Sequence, residues 1–466
     1  MSTVNWKRAI LLEQKVQEII TQQEIDGFQF NKQRARFYVH VLEEICLHLY
    51  LHVLPILKPQ VEQCGAEISK PFTKSGSISA RAEKYLGEQT ECLSGPFTPI
   101  SFTIPNISQR QKIIQILLDL GWKPDEFTDK GQPKLTDKGE PVETLSKVTG
   151  VGKYIADWYR YKHRQSQIKG LIERVREDGR ISAGANTIGT NTCRMRHRNV
   201  VNIPKAHPSV IFGKQIRSLF TCRYKEGWRL LGGDASGLEA RMEAHYTYNY
   251  DGGVYAKELL EGDVHSKNAA IFGVDRQTAK SCKYAITYGA GIKKFSDTAG
   301  VNIQQGTKLF NDFWDGNYAL TRLTQDAQKA SLKGYLIGLD GRKIYMRKFS
   351  SPTKSVNIGG IQYPNPLNIA YTKAVNTLFQ SAGAIVMKYS ICFMDRWIKE
   401  RGLNKYVVKV VDMHDEGQYE FKYSDELFSL LRELYIKSIV QAGVTLKLNV
   451  PLDGDVKTGL TWANTH

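Results

Sequence analysis

Over the first 58 residues apolar positions recur every three or four: Leu12, Val16, Ile19 and Ile20, then Leu42, Ile45, Leu49 and Val53, separated by the turn Asp26-Gly27. That period predicts two amphipathic helices. The pattern then dissolves. Residues 58–102 scatter Pro59, Pro71, Pro96 and Pro99 among Gly65, Gly76, Gly87 and Gly95, with Lys70, Lys74, Arg81 and Lys84 between them. This reads as a long basic loop, and loops of that length in compact proteins are functional or disordered. Helical spacing returns at residues 109–120 and 154–176, on either side of a polar connector at 123–141. Two later stretches have strand character instead. Residues 228–236 predict a short apolar strand ending on Asp234, with a helix from about Leu238. Residues 406–413 predict a second strand, His414-Asp415-Glu416 its turn, and 417–421 the returning strand.

Composition narrows the class. At 466 residues, 41% hydrophobic and 24% charged, the chain can bury several cores and divide into about three domains, which excludes a disordered basic tail. Lys and Arg number 64 against 47 Asp and Glu, a formal charge of +17 that points to a polyanionic partner. The excess peaks at residues 194–229, where nine cations stand against Glu226 alone. Phosphate contact and a solvated positive face both fit such a density. The apolar run Ala9-Ile10-Leu11-Leu12 is cut by Glu13, and no run reaches the ~18 apolar residues of a membrane span, so neither a signal peptide nor membrane association is expected. Seven cysteines with no C-x-x-C pair signal neither zinc nor a disulfide framework and fit a reducing, cytoplasmic setting.

Asp234 alone reads as a helix cap or a cation ligand, and Asp415 alone as an ordinary turn acid. Taken together they say more, because two carboxylates brought close in a folded core need a cation to stay ionised. Magnesium suits them, since it prefers oxygen ligands and shares its shell with phosphates, and two such ions can serve an attacking and a leaving oxygen. Between the acids, Arg276, Lys280, Tyr284 and Tyr288 recur every four residues and predict one helix face, ended by Gly289 and Gly291. The cations could hold a triphosphate and the rings a sugar and a base. An amphipathic helix with half-buried tyrosines is the alternative. Upstream, Asp263-Val264-His265-Ser266-Lys267-Asn268 sets a histidine and a lysine on a neighbouring turn.

In this order the segments resemble the family A (polymerase I type) DNA polymerases, most closely the replicative enzymes of T-seven-like podophages. Residues 234–241 look like the family's first motif, Arg276 through Gly289 its second, and His414-Asp415-Glu416 its third. Residues 263–268, 338–343 and 376–384, and the terminal Trp462-Ala463 with His466, are further podophage-like segments. The resemblance implies an α+β right-hand fold: thumb and palm-base helices at 1–185 with the basic loop 58–102 inserted, palm at 186–250, fingers at 251–370 and palm again at 371–466. It implies DNA-templated addition of deoxynucleotides to a primer, with Asp234, Asp415 and the carbonyl of Ala235 as ligands of two magnesium ions. Lys280 would bind the triphosphate and protonate the leaving pyrophosphate, with Arg276 and His265 on phosphate oxygens. Glu239 would exclude a 2′-hydroxyl beside Tyr284, whose phenol favours dideoxynucleotides, and Tyr288 would stack near the templating base. Arg194, Arg217, Gln380, His414 and Glu416 would face the primer-template, the other partner besides the nucleotides.

The sequence departs from the relatives in three places. Phage relatives carry an exonuclease domain before the thumb, whereas Met1 here falls directly in thumb-like helices, which implies a separate exonuclease subunit, a lost one or a removed one. The loop at 58–102 stands where the podophage enzyme inserts its processivity-factor segment but is shorter, and residues 350–369 form an insertion with no counterpart. A single-subunit RNA polymerase, a metal-dependent nuclease and a non-catalytic polymerase-like nucleic-acid-binding protein are the competing readings; Glu239 and the triphosphate-side cations favour the DNA polymerase.

Overall fold

The computed structural model describes residues 4–86, 94–137, 139–223 and 227–465. His466 and the side chain of His265 lie outside the described residues. The chain divides into two compact units, Gln33–Ile172 and the remainder, which joins Met1–Lys32 to Glu173–His466.

Helix α1 (Trp6–Asp26) buries Leu12, Val16, Ile19 and Ile20, the periodic face read from sequence. The helix stops at the expected turn, Asp26-Gly27, and a short strand, Phe28–Phe30, follows it. Helix α2 (Lys32–Val53) corrects the reading of apolar runs: with the turn to Ile56 it is long and apolar enough to cross a membrane by length and composition. Its apolar residues are interrupted rather than consecutive. Cys46 and Val53 pack into a core with Leu57, Ile107, Ile113, Leu117, Trp122 and, from helix α3 (Gly152–Glu173), Ile155 and Trp158. The 58–102 segment is more ordered than a loop. Gln60–Gln63 pairs antiparallel with Ile100–Thr103, Ile68 bridges Phe97, and Ala80–Leu86 is helical.

In the other unit, strand β1 (Trp228–Ala235) leads into helix α4 (Leu238–Asp251). Helix α5 (Arg276–Thr287) is capped by Asp275, whose carboxylate accepts the amides of Gln277 and Thr278 at 2.9 and 3.1 Å. It ends at Gly289, while Gly291 caps the next helix, Ile292–Ala299. Helix α6 (Tyr318–Ser331) is followed by two hairpins, β2 (Tyr335–Ile337) with β3 (Lys343–Tyr345) and β4 (Ser355–Ile358) with β5 (Ile361–Pro364). The second lies in the 350–369 segment and turns on Gly359 and Gly360, whose φ of 59° and 85° make the tight turn that matches strand twist. Helix α7 (Ala374–Glu400), strands β6 (Val407–Met413) and β7 (Glu416–Lys422), helix α8 (Asp425–Thr445) and strand β8 (Gly454–Gly459) complete the unit.

The strands β6, β7, β1 and β8 form one antiparallel sheet in that order, so β1 is central although it comes first in sequence. Helices α7 and α8 pack together behind it, and Leu231, Tyr419, Phe421, Leu434, Tyr435 and Ile439 share its core. The sheet, helices and hairpins make the α+β class expected.

Candidate active site

The central strand explains the position of the first acid. Leu230, Leu231, Gly232, Gly233 and Ala235 are buried and Asp234 alone is exposed. Gly233 is required by close approach: a Cβ there would stand 2.3 Å from the ring of Tyr435, whose hydroxyl donates to the Gly233 carbonyl at 2.7 Å. The strand therefore lies flush on α8 and stops with its carboxylate at an open edge.

Asp415 reaches the same edge from the β6–β7 turn. Met413 pairs with Glu416, leaving a two-residue turn whose first residue, His414, has a φ of 62°, a position glycine usually fills. Asp234 sits opposite Glu416 in the ladder, and the amide of Ala235 donates to the carbonyl of Asp415 at 3.1 Å. The two acids are thus neighbours across adjacent strands, and both are exposed. They line a cavity of about 320 Å³ together with Arg194, His197, Glu239, Tyr284, Tyr288 and His414. Among the described residues no third histidine, cysteine or acid joins them as a compact metal cluster. Two carboxylates and a backbone carbonyl still suit magnesium, which keeps waters and takes substrate phosphates to complete its shell.

Glu239 is held on two sides. Arg194 donates to one oxygen at 3.1 Å and the Tyr288 hydroxyl to the other. Burial and then Glu239 push the Tyr288 phenol well above its usual range. The Tyr284 ring lies 6.0 Å from that of Tyr288, and burial, Glu239, Glu243 and Asp415 raise its phenol too. Lys280 is half-buried one turn before Tyr284, outside the cavity lining. Arg276, another turn back, pairs with Asp263 at 2.8 Å and holds that carboxyl well below the usual carboxylate range. His265 belongs to the helix Val264–Phe272 that follows Asp263. Gln380 is half-buried on α7, three residues before Gly383, which lines the cavity.

Two residues of the expected primer-template set face inward. Arg217 and Glu416 are each 5% exposed and pair at 3.4 Å. Arg217 also donates to the Pro204 carbonyl at 2.9 Å and stacks over the Trp462 ring at 4.6 Å, while Trp462 and Gln418 donate to Glu416. Others of the basic stretch are likewise matched: Arg223 meets Glu420 at 2.9 Å and Arg198 meets Glu24 at 2.8 Å. Arg196 stays exposed.

Three cavity residues had no sequence signal. His197 stands 5.4 Å from the His414 ring, and burial, helped by His414 and Lys409, pulls its imidazole down to about 4. Asp412 pairs with Lys409 at 2.7 Å, yet burial raises its carboxyl. Lys388, 1% exposed on α7, donates to Glu13 at 2.6 Å and to the Thr187 carbonyl at 2.7 Å; burial lowers its ammonium. Arg342 joins the same Glu13 at 2.5 Å and Asp340 at 2.7 Å. That buried network, two acids and two bases, accounts for the 338–343 segment as a clasp on α1.

The chain is similar to known proteins along most of its length. The chain is 27% identical to the DNA-directed DNA polymerase of Escherichia phage Phieco32, with 98% of each chain covered. It is 28% identical to that of Escherichia phage T7 over 86% of this chain and 58% of the relative, so it spans little more than half of that protein. Its fold matches the POL domain of Pol1 from M. smegmatis, solved in complex with DNA primer-template and dNTP, with a TM-score of 0.74 at 19% identity over 97% of this chain and 70% of that one. This is the right-hand fold. The profile of DNA polymerase family A matches residues 80–464, most of the sequence and every residue of the cavity. The chain therefore belongs to DNA polymerase family A.

Proposed function

We propose that the chain is a DNA-templated DNA polymerase that extends a primer 3′ end with deoxynucleotides during phage genome replication in the host cytoplasm. The observation that carries the reading is the placement of Asp234 on β1 and Asp415 on the adjoining β6–β7 turn, both lining one cavity with Glu239, Tyr284 and Tyr288. Asp234, Asp415 and the Ala235 carbonyl would hold magnesium, two ions in the full site, which when bound supplies charge for the attacking and leaving oxygens.

The chain's own groups divide the remaining work. Lys280, Arg276 and His265 would form the triphosphate side, with Lys280 giving a proton to the departing pyrophosphate. Arg276 must exchange Asp263 for phosphate to do so. Glu239, clasped by Arg194 and Tyr288, occupies the space a 2′-hydroxyl would need, and Tyr284 offers its phenol to the sugar. Arg194, Gln380 and His414 face the primer-template, and Arg217 with Glu416 braces the turn that carries Asp415 from behind. The segment 58–102 would be a place for a processivity partner.

The test is extension of a primed template with four deoxynucleotides and magnesium, comparing wild type with Asp415→Asn. Loss of about 10³-fold or more is expected when charge stabilisation of this kind is removed; undiminished extension by the variant overturns the site. Extension with ribonucleotides in place of deoxynucleotides would favour an RNA polymerase instead.

A further inference from the structure

Residues 321–373 carry nine cations against Asp326 and Asp340, a second basic stretch after that at 194–229. Here the cations are not matched by acids: among the described residues the ion pairs of this segment are those of Arg342 with Glu13 and Asp340. Lys329, Lys333, Arg347, Lys348 and Lys354 are exposed and Lys343 half-exposed. They are interleaved with rings instead. Lys333 and Lys343 lie over Tyr335 at 4.8 and 4.5 Å, Tyr335 faces Tyr345 across the β2–β3 ladder, and Lys329 lies over Tyr363 of β5 at 5.2 Å.

The segment is continuous. The Met346 amide donates to the Gly334 carbonyl at 3.0 Å, which extends the β2–β3 hairpin, and the Ala370 amide donates to the Arg347 carbonyl at 2.9 Å while Lys348 bridges Ile369, so the chain leaving β3 pairs with the chain that follows β5. At its near end Lys373 donates to the carbonyls of Tyr288 and Gly289 at 3.0 and 3.3 Å, where α5 leaves the cavity wall. At its far side Lys343 and Tyr345, the latter 58% exposed, line a second cavity of about 620 Å³ with Trp6, Ile188 and Asn191.

We propose that this strip is a track for single-stranded nucleic acid, the unpaired template ahead of the cavity, with the β4–β5 hairpin as one of its walls. The proposal rests on the polymerase reading above. Cations without an acid partner follow a phosphate backbone, and the exposed Tyr345 ring can stack on a base, which only a single strand presents face-on. An acidic protein segment would use the lysines and leave the rings without a purpose.

The experiment measures binding by fluorescence anisotropy to two primer-templates that share one duplex, with a template overhang of one nucleotide or of about twelve nucleotides, the scale of a single-strand site. Two variants are used, Lys333→Gln/Lys343→Gln/Lys348→Gln and Tyr345→Ala, with circular dichroism and short-overhang affinity as controls for folding. Wild type should bind the long overhang more tightly. Tyr345→Ala should weaken that binding about tenfold, and the triple variant should lower its salt slope by about 2, roughly 0.7 for each cation removed from a single strand. Short-overhang binding should not change in either variant. Equal wild-type affinity for both templates overturns the proposal, as does equal weakening on both, which would place the strip on duplex. Unchanged DNA binding with loss of affinity for a polyglutamate peptide would assign the strip to an acidic protein and also overturn it. Because binding is read without turnover, a wild type that discriminates overhangs but extends no primer would sink the polymerase reading and leave the track standing.

Discussion

Arg217 separates two accounts of the basic stretch. If it contacts DNA, replacing it should weaken primer-template binding and leave the fold intact. The structure places it otherwise, 5% exposed, 3.4 Å from an equally buried Glu416 and packed on Trp462. Arg217→Met keeps much of the packing volume but removes the guanidinium from a carboxylate that has left water. Breaking buried pairs in this way typically costs about 3–5 kcal/mol. Neutral donors from Trp462 and Gln418 persist on Glu416, so the lower end, about 3 kcal/mol, is expected. Adding Glu416→Gln removes the charge as well, and the double variant should recover more than half of the loss. Urea unfolding followed by circular dichroism measures all four members of the cycle. A single-variant cost below about 1 kcal/mol, or a double variant as unstable as the two singles added together, would refute the buried-brace account.

Further outcomes can be checked with less machinery. Wild type should incorporate dideoxynucleotides readily and Tyr284→Phe should not; equal chain termination at matched dideoxy to deoxy ratios would discard that role for the phenol. Gly233→Ala pushes a Cβ to 2.3 Å from the Tyr435 ring and should cost about 1–3 kcal/mol in urea unfolding, with Tyr435→Ala partly compensating. His245 accepts the Asn449 amide through Nδ1 at 3.1 Å, and burial pulls its imidazole down to about 4 from 6.5. A folded pKa below the unfolded one means the unfolded chain takes up the proton first. Stability from His245 is therefore full above about pH 6.5 and lost on acidification toward pH 4, by up to about 1.4 kcal/mol per pH unit. His245→Gln should flatten that part of the stability profile, and an unchanged slope would count against it.

The parts of the site that local geometry governs were legible in the sequence. Four residues spaced by four needed only the helix repeat to share a face, and Asp415 needed only two strands too close together for anything but a tight turn. The direction a cation faces is another matter. Arg196 and Arg217 stand in one basic stretch, yet the first is exposed and the second buried, because Glu416, 199 residues further on, and Trp462 close over it. The same holds for Glu13, whose partners Arg342 and Lys388 are 329 and 375 residues away. Helix α2 was missed as an apolar span because its apolar residues are interrupted, and the core that Cys46 and Val53 join is built from residues as far along the chain as Trp158. The strip at 321–373 had its charge in plain sight; its meaning lies in which ring each lysine covers, and that is set by strand pairing.

Asp234 and Asp415 are joined through the main chain, by the Ala235 amide on the Asp415 carbonyl, rather than through their side chains. The pair is in effect a gauge whose setting belongs to the sheet. Helix α5 is no part of that sheet, so the spacing of the acids does not depend on where α5 lies. The gauge has one vulnerability, its indexing. A single residue inserted between Met413 and Glu416 would slip the β6–β7 ladder and carry Asp415 to the other side of the sheet, a fault that no replacement of a side chain could repair.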